Sequence, residues 1–267
     1  MITTTKIERV RSVSAVTRAS DLFRRYKKEK PQAVRSADVT DQSLAERIQR
    51  TREMLRGMKP EAVIALLEYC GSLNFFKAIA LAQRENKLIV PNDIHDRILT
   101  ETNYGESGIP PDYPVITGTF IIYEAPDKKF GKRIKYRLLD EEDVEYCIKF
   151  HVPKQFQSKI NCALVVEYPN FELVALGGNN YELRVTNESN LSLVENFPRE
   201  AGWYKYDERF RIPIGDKMED QQVDNTTRNL KRVNLYIGPL VRDYLGGTRQ
   251  KIFADWNASP LDVFMIG

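Results

Sequence analysis

The order of apolar and polar positions divides the chain into a part with helical period and a part with period two. From residue 41 to 101 apolar residues recur three and four apart. Ser43 with Glu46 three residues on makes a capping box, and Leu44, Ile48 and Leu55 follow on one face until Gly57. Pro60 suits a first helical turn, and Val63, Leu66, Leu67 and Cys70 continue one face to Gly71. Phe75, Phe76, Ile79, Ala80 and Gln83 open a third helix that ends near Asn86. Pro91-Asn92-Asp93 starts a short fourth, with Ile94, Ile98 and Leu99. The short links predict a compact antiparallel bundle. Its third helix is too rich in Phe and Ala, and too poor in basic and amide residues, to read base edges in a major groove.

Residues 102–114, with Asn103, Gly105, Gly108, Pro110, Pro111 and Pro114, read as a linker. Alternation then predicts strands at 115–124, 132–139, 144–152, 162–168, 171–176, 181–186, 191–195 and 203–212. Leu230, Val233, Ile237, Leu240, Val241 and Tyr244 return to helical spacing, so residues 226–245 are expected as a closing helix, kinked at Gly238-Pro239. The apolar tail Leu261–Ile266 either adds a last strand or docks on a partner. The fold class expected is α+β. A small N-terminal helical block (41–101) precedes a β-rich antiparallel domain (115–267) of about eight strands, in two packed sheets or one curled sheet, with a C-terminal helix.

Composition narrows the function classes. With 267 residues, 42% hydrophobic and 29% charged, the chain is long enough for a sizeable core. No stretch approaches the roughly 20 uncharged apolar residues of a membrane span, so no membrane partner is expected. Lys6, Arg9 and Arg11 are not followed by the apolar run of a secretory signal. Cys70, Cys147, Cys162, His95 and His151 lie far apart, without the clustered spacing of a zinc site; no metal and no cofactor is expected. An odd, sparse cysteine count fits a reducing cytoplasm.

The net charge of +3 conceals an asymmetry: residues 1–60 carry +8. Arg24, Arg25, Lys27, Lys28 and Lys30 form its densest cluster, and apolar periodicity is poor before Leu44. Residues 1–40 are therefore expected as a basic flexible arm that neutralises phosphates.

Two strands carry the candidate chemistry. In Lys132–Leu138, alternation puts Ile134, Tyr136 and Leu138 on one face and Arg133, Lys135 and Arg137 on the other. The cations are then about 7 Å apart, a spacing suited to successive phosphates of an extended strand. A turn of three or five residues would add Lys149 and His151 to this basic face, with Glu145 its one opposing charge. In Trp203–Arg211, Trp203, Lys205, Arg209 and Arg211 share one face, and Tyr204, Tyr206 and Phe210 share the other. Bases stack on exposed rings, and single-stranded RNA leaves its bases free to do so. In each strand taken alone, core aromatics and solvated cations explain the pattern as well.

Enzyme motifs are weaker. Pro111-Asp112 and Asp127-Lys128-Lys129 satisfy a loose nuclease pattern, but Asp127 follows a proline in a turn rather than lying on a central strand. No Walker loop, GxGxxG or GxSxG occurs, so the chain is read as a non-enzyme.

The order of parts, with the stretches Lys132–Leu138 and Trp203–Arg211, resembles the nucleus-associated RNA-binding proteins of jumbo phages, the chimallin C family. The core of that family is similar to Whirly-type single-strand-binding folds. The resemblance spans the whole chain in character rather than in a signature motif. It implies sequence-tolerant binding of phage mRNA in the host cytoplasm beside a phage replication compartment, on two antiparallel sheets set against helices. The helix such a layout places between the sheets would have only Lys154–Ile160 to form from.

The function expected is single-stranded nucleic-acid binding, RNA before DNA, through Arg133, Lys135, Arg137, Lys149, Trp203, Lys205, Arg209 and Arg211, with Arg24, Arg25, Lys27 and Lys28 as a tether. A phage shell or other protein, and a second copy of the chain, are the further candidate partners. The alternative is a structural or adaptor protein that binds another protein through Phe75-Phe76 of the helical block and the apolar tail Val263–Ile266, with the tail removable without harm to the fold.

Overall fold

The computed structural model of the chain describes residues 44–102, 114–123, 133–137, 145–157, 159, 161–178, 180–198, 200–219, 222–224, 226–231, 236–244, 250–253 and 261–267. Four helices open it: α1 (Leu44–Gly57), α2 (Pro60–Ile64), α3 (Phe75–Glu85) and α4 (Asn92–Glu101). Strands β1 (Glu68–Leu73) and β2 (Leu88–Ile89) lie between them. The remainder is strand: β3 (Val115–Tyr123), β4 (Arg133–Arg137), β5 (Glu145–Phe150), β6 (Ala163–Glu167), β7 (Phe171–Gly177), β8 (Asn180–Val185), β9 (Ser192–Val194), β10 (Gly202–Tyr206), β11 (Pro213–Met218), β12 (Arg228–Lys231), β13 (Tyr236–Tyr244), β14 (Gln250–Phe253) and β15 (Leu261–Ile266). The chain is α+β.

The strands form two sheets. The large one runs β1-β15-β3-β13-β14-β12-β10-β11, with β2 on β15, β6 on β3 and β9 on β6. The small one runs β4-β5-β8-β7. Both sheets contain parallel pairs, β12 with β14 and β15 with β3 in the large one and β5 with β8 in the small one, so the antiparallel expectation needs that correction. All nine residues of β3 are buried, because layers cover both of its faces. On one face Thr119 meets Asn92 of α4 and Glu167, which Arg52 of α1 reaches in turn. On the other, Phe120 packs on Phe171 of β7 and Phe75 of α3. Helices α1 and α4, the large sheet and the small sheet are thus three successive layers around one apolar core.

Gly118 sits where one edge of β3 changes partner. Val115 and Ile116 pair with β15, whereas Thr119 to Ile122 pair with β6. Between them the Gly118 N–H donates to the Val90 carbonyl and its carbonyl accepts from the Tyr168 N–H, both at 2.8 Å. A Cβ at this position would run into the Ile89 carbonyl oxygen.

Sequence period and structure disagree in three places. Residues 226–245, expected as a helix, hold β12 and β13, and Pro239 falls at a register shift in β13, where a strand tolerates proline. The helix expected to reach Gly71 ends at Ile64, and Glu68–Leu73 is an edge strand on β15. The expected strand 203–212 stops at Tyr206. Asp207 then closes a turn, its carboxylate accepting the N–H of Phe210 at 2.7 Å and of Ile212 at 3.3 Å, before β11 starts at Pro213. Lys154–Phe156 forms a single 3₁₀ turn, not the inter-sheet helix of a Whirly layout. The capping residue Ser43, the arm and the linker residues 103–113 lie outside the described residues.

The tail of the adaptor alternative is interior. Val263, Phe264 and Met265 have no exposed surface, and β15 pairs with β1, β2 and β3. Phe75 is buried and stacks on Phe76, which in turn packs on Tyr181. No helix among the described residues is long and apolar enough to cross a membrane.

Candidate nucleic-acid interface

Several arginines of this chain are structural, and setting them aside defines what is left for a ligand. Arg228 of β12 and Arg242 of β13 both point to the helix side of the large sheet. Arg228 grips Asp96 of α4 with two bonds, Nε to Oδ1 at 2.7 Å and Nη2 to Oδ2 at 2.8 Å. Arg242 Nη1 reaches the same Oδ1 at 2.7 Å, and its Nε and Nη2 donate to Asn92 Oδ1 at 3.1 and 2.9 Å. Both ion pairs are almost wholly shielded from water. Burial pulls the Arg242 guanidinium down to about 10, against the opposing pull of Asp96. The guanidinium groups of Arg228 and Arg211 both approach the Tyr206 ring, 4.5 and 4.7 Å from its centroid.

A second buried group joins α1 to β6 and α4. Glu167 is paired with Arg52, and Arg56 Nε donates to Asp93 Oδ2 at 2.6 Å. Burial pushes the Glu167 carboxyl up and the Arg52 guanidinium down. These bridges clamp helices onto the sheet. The bidentate grip of Arg228 on Asp96 and the burial of Arg242, Asp96, Arg52 and Glu167 fit that role.

The sequence-predicted residues separate into several groups. Arg211 is half-buried: it has a left-handed φ of 58°, donates from Nη1 to the Tyr206 hydroxyl at 2.6 Å and lies 3.9 Å from Asp96. Arg211 thus belongs to the internal clamp. Arg209 is exposed, its guanidinium 4.7 Å from the Phe210 ring centroid. The turn at Asp207 ends the alternation that was to put both arginines on one face with Trp203. On the small sheet the register pairs Arg133 with Lys149, Lys135 with Cys147 and Arg137 with Glu145, so these positions share a face. Lys149 is exposed but ion-paired with Glu182, 3.2 Å away; Arg184 donates to the same carboxylate at 2.6 Å. These two bonds hold the Glu182 carboxyl below its usual range. Arg24, Arg25, Lys27 and Lys28 lie outside the described residues.

Trp203 and Lys205 lie on β10, and the register gives them companions that the sequence reading missed. Trp203 pairs with Asn229 of β12, and Asn229 pairs with Lys251 of β14. One step of two residues along, Lys231 pairs with Phe253. The same face therefore carries Trp203, Lys205, Lys231, Lys251 and Phe253 from three adjacent strands. It is the face away from the helices, since Tyr204, Arg228 and Leu230 of the opposite parity are buried. Trp203 and Asn229 are half-buried and Lys205 is exposed, donating to Thr226 Oγ1 at 2.7 Å. Among the described residues, Asp243 in register with Lys251, Asp216 on β11 and Asp224, which Thr226 links to Lys205, are acidic positions next to this face.

No family model, curated protein or solved structure matches the chain. The reading of this face rests on its own geometry. Lys231 and Lys251 escaped sequence reasoning because 226–245 looked helical and because a parallel pairing of β12 with β14 has no local signal. Among the described residues, no group of three His, Cys, Asp or Glu side chains could hold a metal ion.

Proposed function

We propose that this chain binds single-stranded nucleic acid, RNA before DNA, with little sequence readout. The observation that carries the reading is the face of β10, β12 and β14: Trp203, Asn229 and Lys251 fall in one register row and Lys231 and Phe253 in the next, with Lys205 two residues from Trp203 on β10. Cations spaced along and across strands follow a phosphate backbone, and rings between them take bases by stacking, which is tolerant of sequence. The resemblance of the chain's parts to the jumbo-phage RNA-binding family fits the same reading and extends it to phage mRNA near a replication compartment in the host cytoplasm.

The test is a salt-dependent titration of the full chain with single-stranded RNA, single-stranded DNA and duplex. Tighter binding of single strands than of duplex at about 50 mM salt, weakening as salt rises, is the expected result. Binding at background for all three overturns the proposal.

A further inference from the structure

Trp203 has neighbours of unlike chemistry on its two sides. The register sets it opposite Met218 of β11 on one side and opposite Asn229 of β12 on the other. Directly opposed residues of an antiparallel pair share a face, with Cβ atoms about 5 Å apart. All three side chains are half-buried, so each keeps part of its surface accessible.

The polar groups near this ring differ in how far they are already engaged. Lys205, two residues along β10, donates to Thr226 Oγ1, and that hydroxyl donates to Asp224 Oδ1, both at 2.7 Å. The Met218 thioether has no donor. The Asn229 side chain makes no hydrogen bond with another described residue. It therefore holds a carbonyl acceptor and two N–H donors in the register position beside Trp203. A half-buried amide without a protein partner gives its bonds to water, which an incoming polar edge can replace.

Building on the proposed function, we infer that Asn229 meets the edge of the base stacked on Trp203, and that its amide accepts any of the four bases. Adenine (N6–H beside N1), cytosine (N4–H beside N3), guanine (N1–H beside O6) and uracil (N3–H beside O4) each present a donor next to an acceptor. The amide also presents one of each, and turning it over exchanges their order. The contact adds affinity without choosing a sequence. It is closed to a duplex, whose edges are already paired.

The experiment titrates the parent chain, Asn229→Ala and Asn229→Asp with single-stranded RNA oligomers of about 12 nucleotides that cannot self-pair: U only, alternating A–C and alternating A–G. Salt is held at about 50 mM. Asn229→Ala should weaken all three by a similar factor, about fivefold, the loss of one or two hydrogen bonds. A carboxylate only accepts, and guanine alone offers two adjacent donors, N1–H and N2–H. Asn229→Asp should therefore raise the preference for A–G over A–C about tenfold above the parent's. That ratio is read on one protein preparation, so a loss of folded material cannot produce it. If Asn229→Ala binds like the parent, or Asn229→Asp keeps the parent's ratio, Asn229 does not meet the base and the proposed function stands. If Asn229→Ala weakens one oligomer only, the amide reads sequence and the tolerant contact is wrong. If the parent binds none of the three, the proposed function itself fails.

Discussion

Asp96 has no exposed surface and accepts from two guanidinium groups that are equally buried, so its charge is what keeps Arg228 and Arg242 inside the sheet. Asp96→Asn retains the size but leaves two buried cations without a counter-charge. It should lower stability by about 3–5 kcal/mol in urea unfolding, the range for breaking a buried pair from one side. A loss below about 1 kcal/mol would show that water enters this layer. The adjacent His95 gives a pH signature. It is 1% exposed, neither ring nitrogen has a hydrogen-bond partner among the described residues, and burial, aided by the charge of Arg242, holds its imidazole down to about 3. An unfolded chain protonates the same ring near 6.5. Between these values the unfolded state holds a proton that the folded state refuses. Stability should therefore fall as pH drops through the window, by up to about 1.4 kcal/mol per unit. His95→Leu cannot bind that proton, so the variant's stability should fall less steeply than the parent's when both are unfolded in urea at about pH 7, 5.5 and 4. Parallel pH profiles would mean the imidazole is solvated after all.

At the scale of elements, the buried arginines also explain what the sequence concealed. Strands β3 and β6 to β8 were legible because their inward residues are apolar or their turns are marked by Pro169-Asn170 and Gly177-Gly178. In β12 and β13 the inward positions include Arg228 and Arg242, which read as polar, so the period-two signal vanished and scattered aliphatic residues mimicked a helix. β1 was hidden differently: its partner Phe264 lies near the other end of the chain, and Leu66, Leu67 and Cys70 happen to fall at helical spacing. Helices α3 and α4 were readable from local chemistry, with the Asn74 side chain accepting the Lys77 N–H at 3.0 Å and Asn86 left-handed at the end of α3. The apolar tail follows the same logic as β1. Because β15 lies between β1 and β3 and also pairs with β2, removing residues 261–267 should abolish cooperative unfolding rather than release a partner. Phe264→Ala, a milder change in the same strand, should cost about 3–5 kcal/mol. A truncated chain that still unfolds in one sharp transition would contradict this topology.

Among the described residues, one set of cations is internal and ties helices to the sheet, and another lies on the sheet face away from the helices. Sequence alone could not sort them, since Arg211 and Arg209 are two residues apart yet one is clamped against Tyr206 while the other is exposed. The basic arm is a third set, legible from composition and separable by experiment. Residues 1–40 carry a net +6. If the arm contributes only phosphate neutralisation, deleting it should weaken binding by a similar factor for every single-stranded sequence. The salt slope should flatten by up to about 4, at about 0.7 for each phosphate no longer neutralised. Trp203→Ala should behave in the opposite way. It removes a stacking surface and no charge, so affinity should fall by about 1–3 kcal/mol while the salt slope stays that of the parent. The discriminating measurement is affinity against log salt for parent, arm deletion and Trp203→Ala on one RNA oligomer. Parallel lines for parent and Trp203→Ala, with a shallower line for the deletion, assign stacking to the sheet and charge neutralisation to the arm. A Trp203→Ala line that coincides with the parent's removes the ring from the site and leaves the lysines of β10, β12 and β14 to act as an electrostatic surface alone.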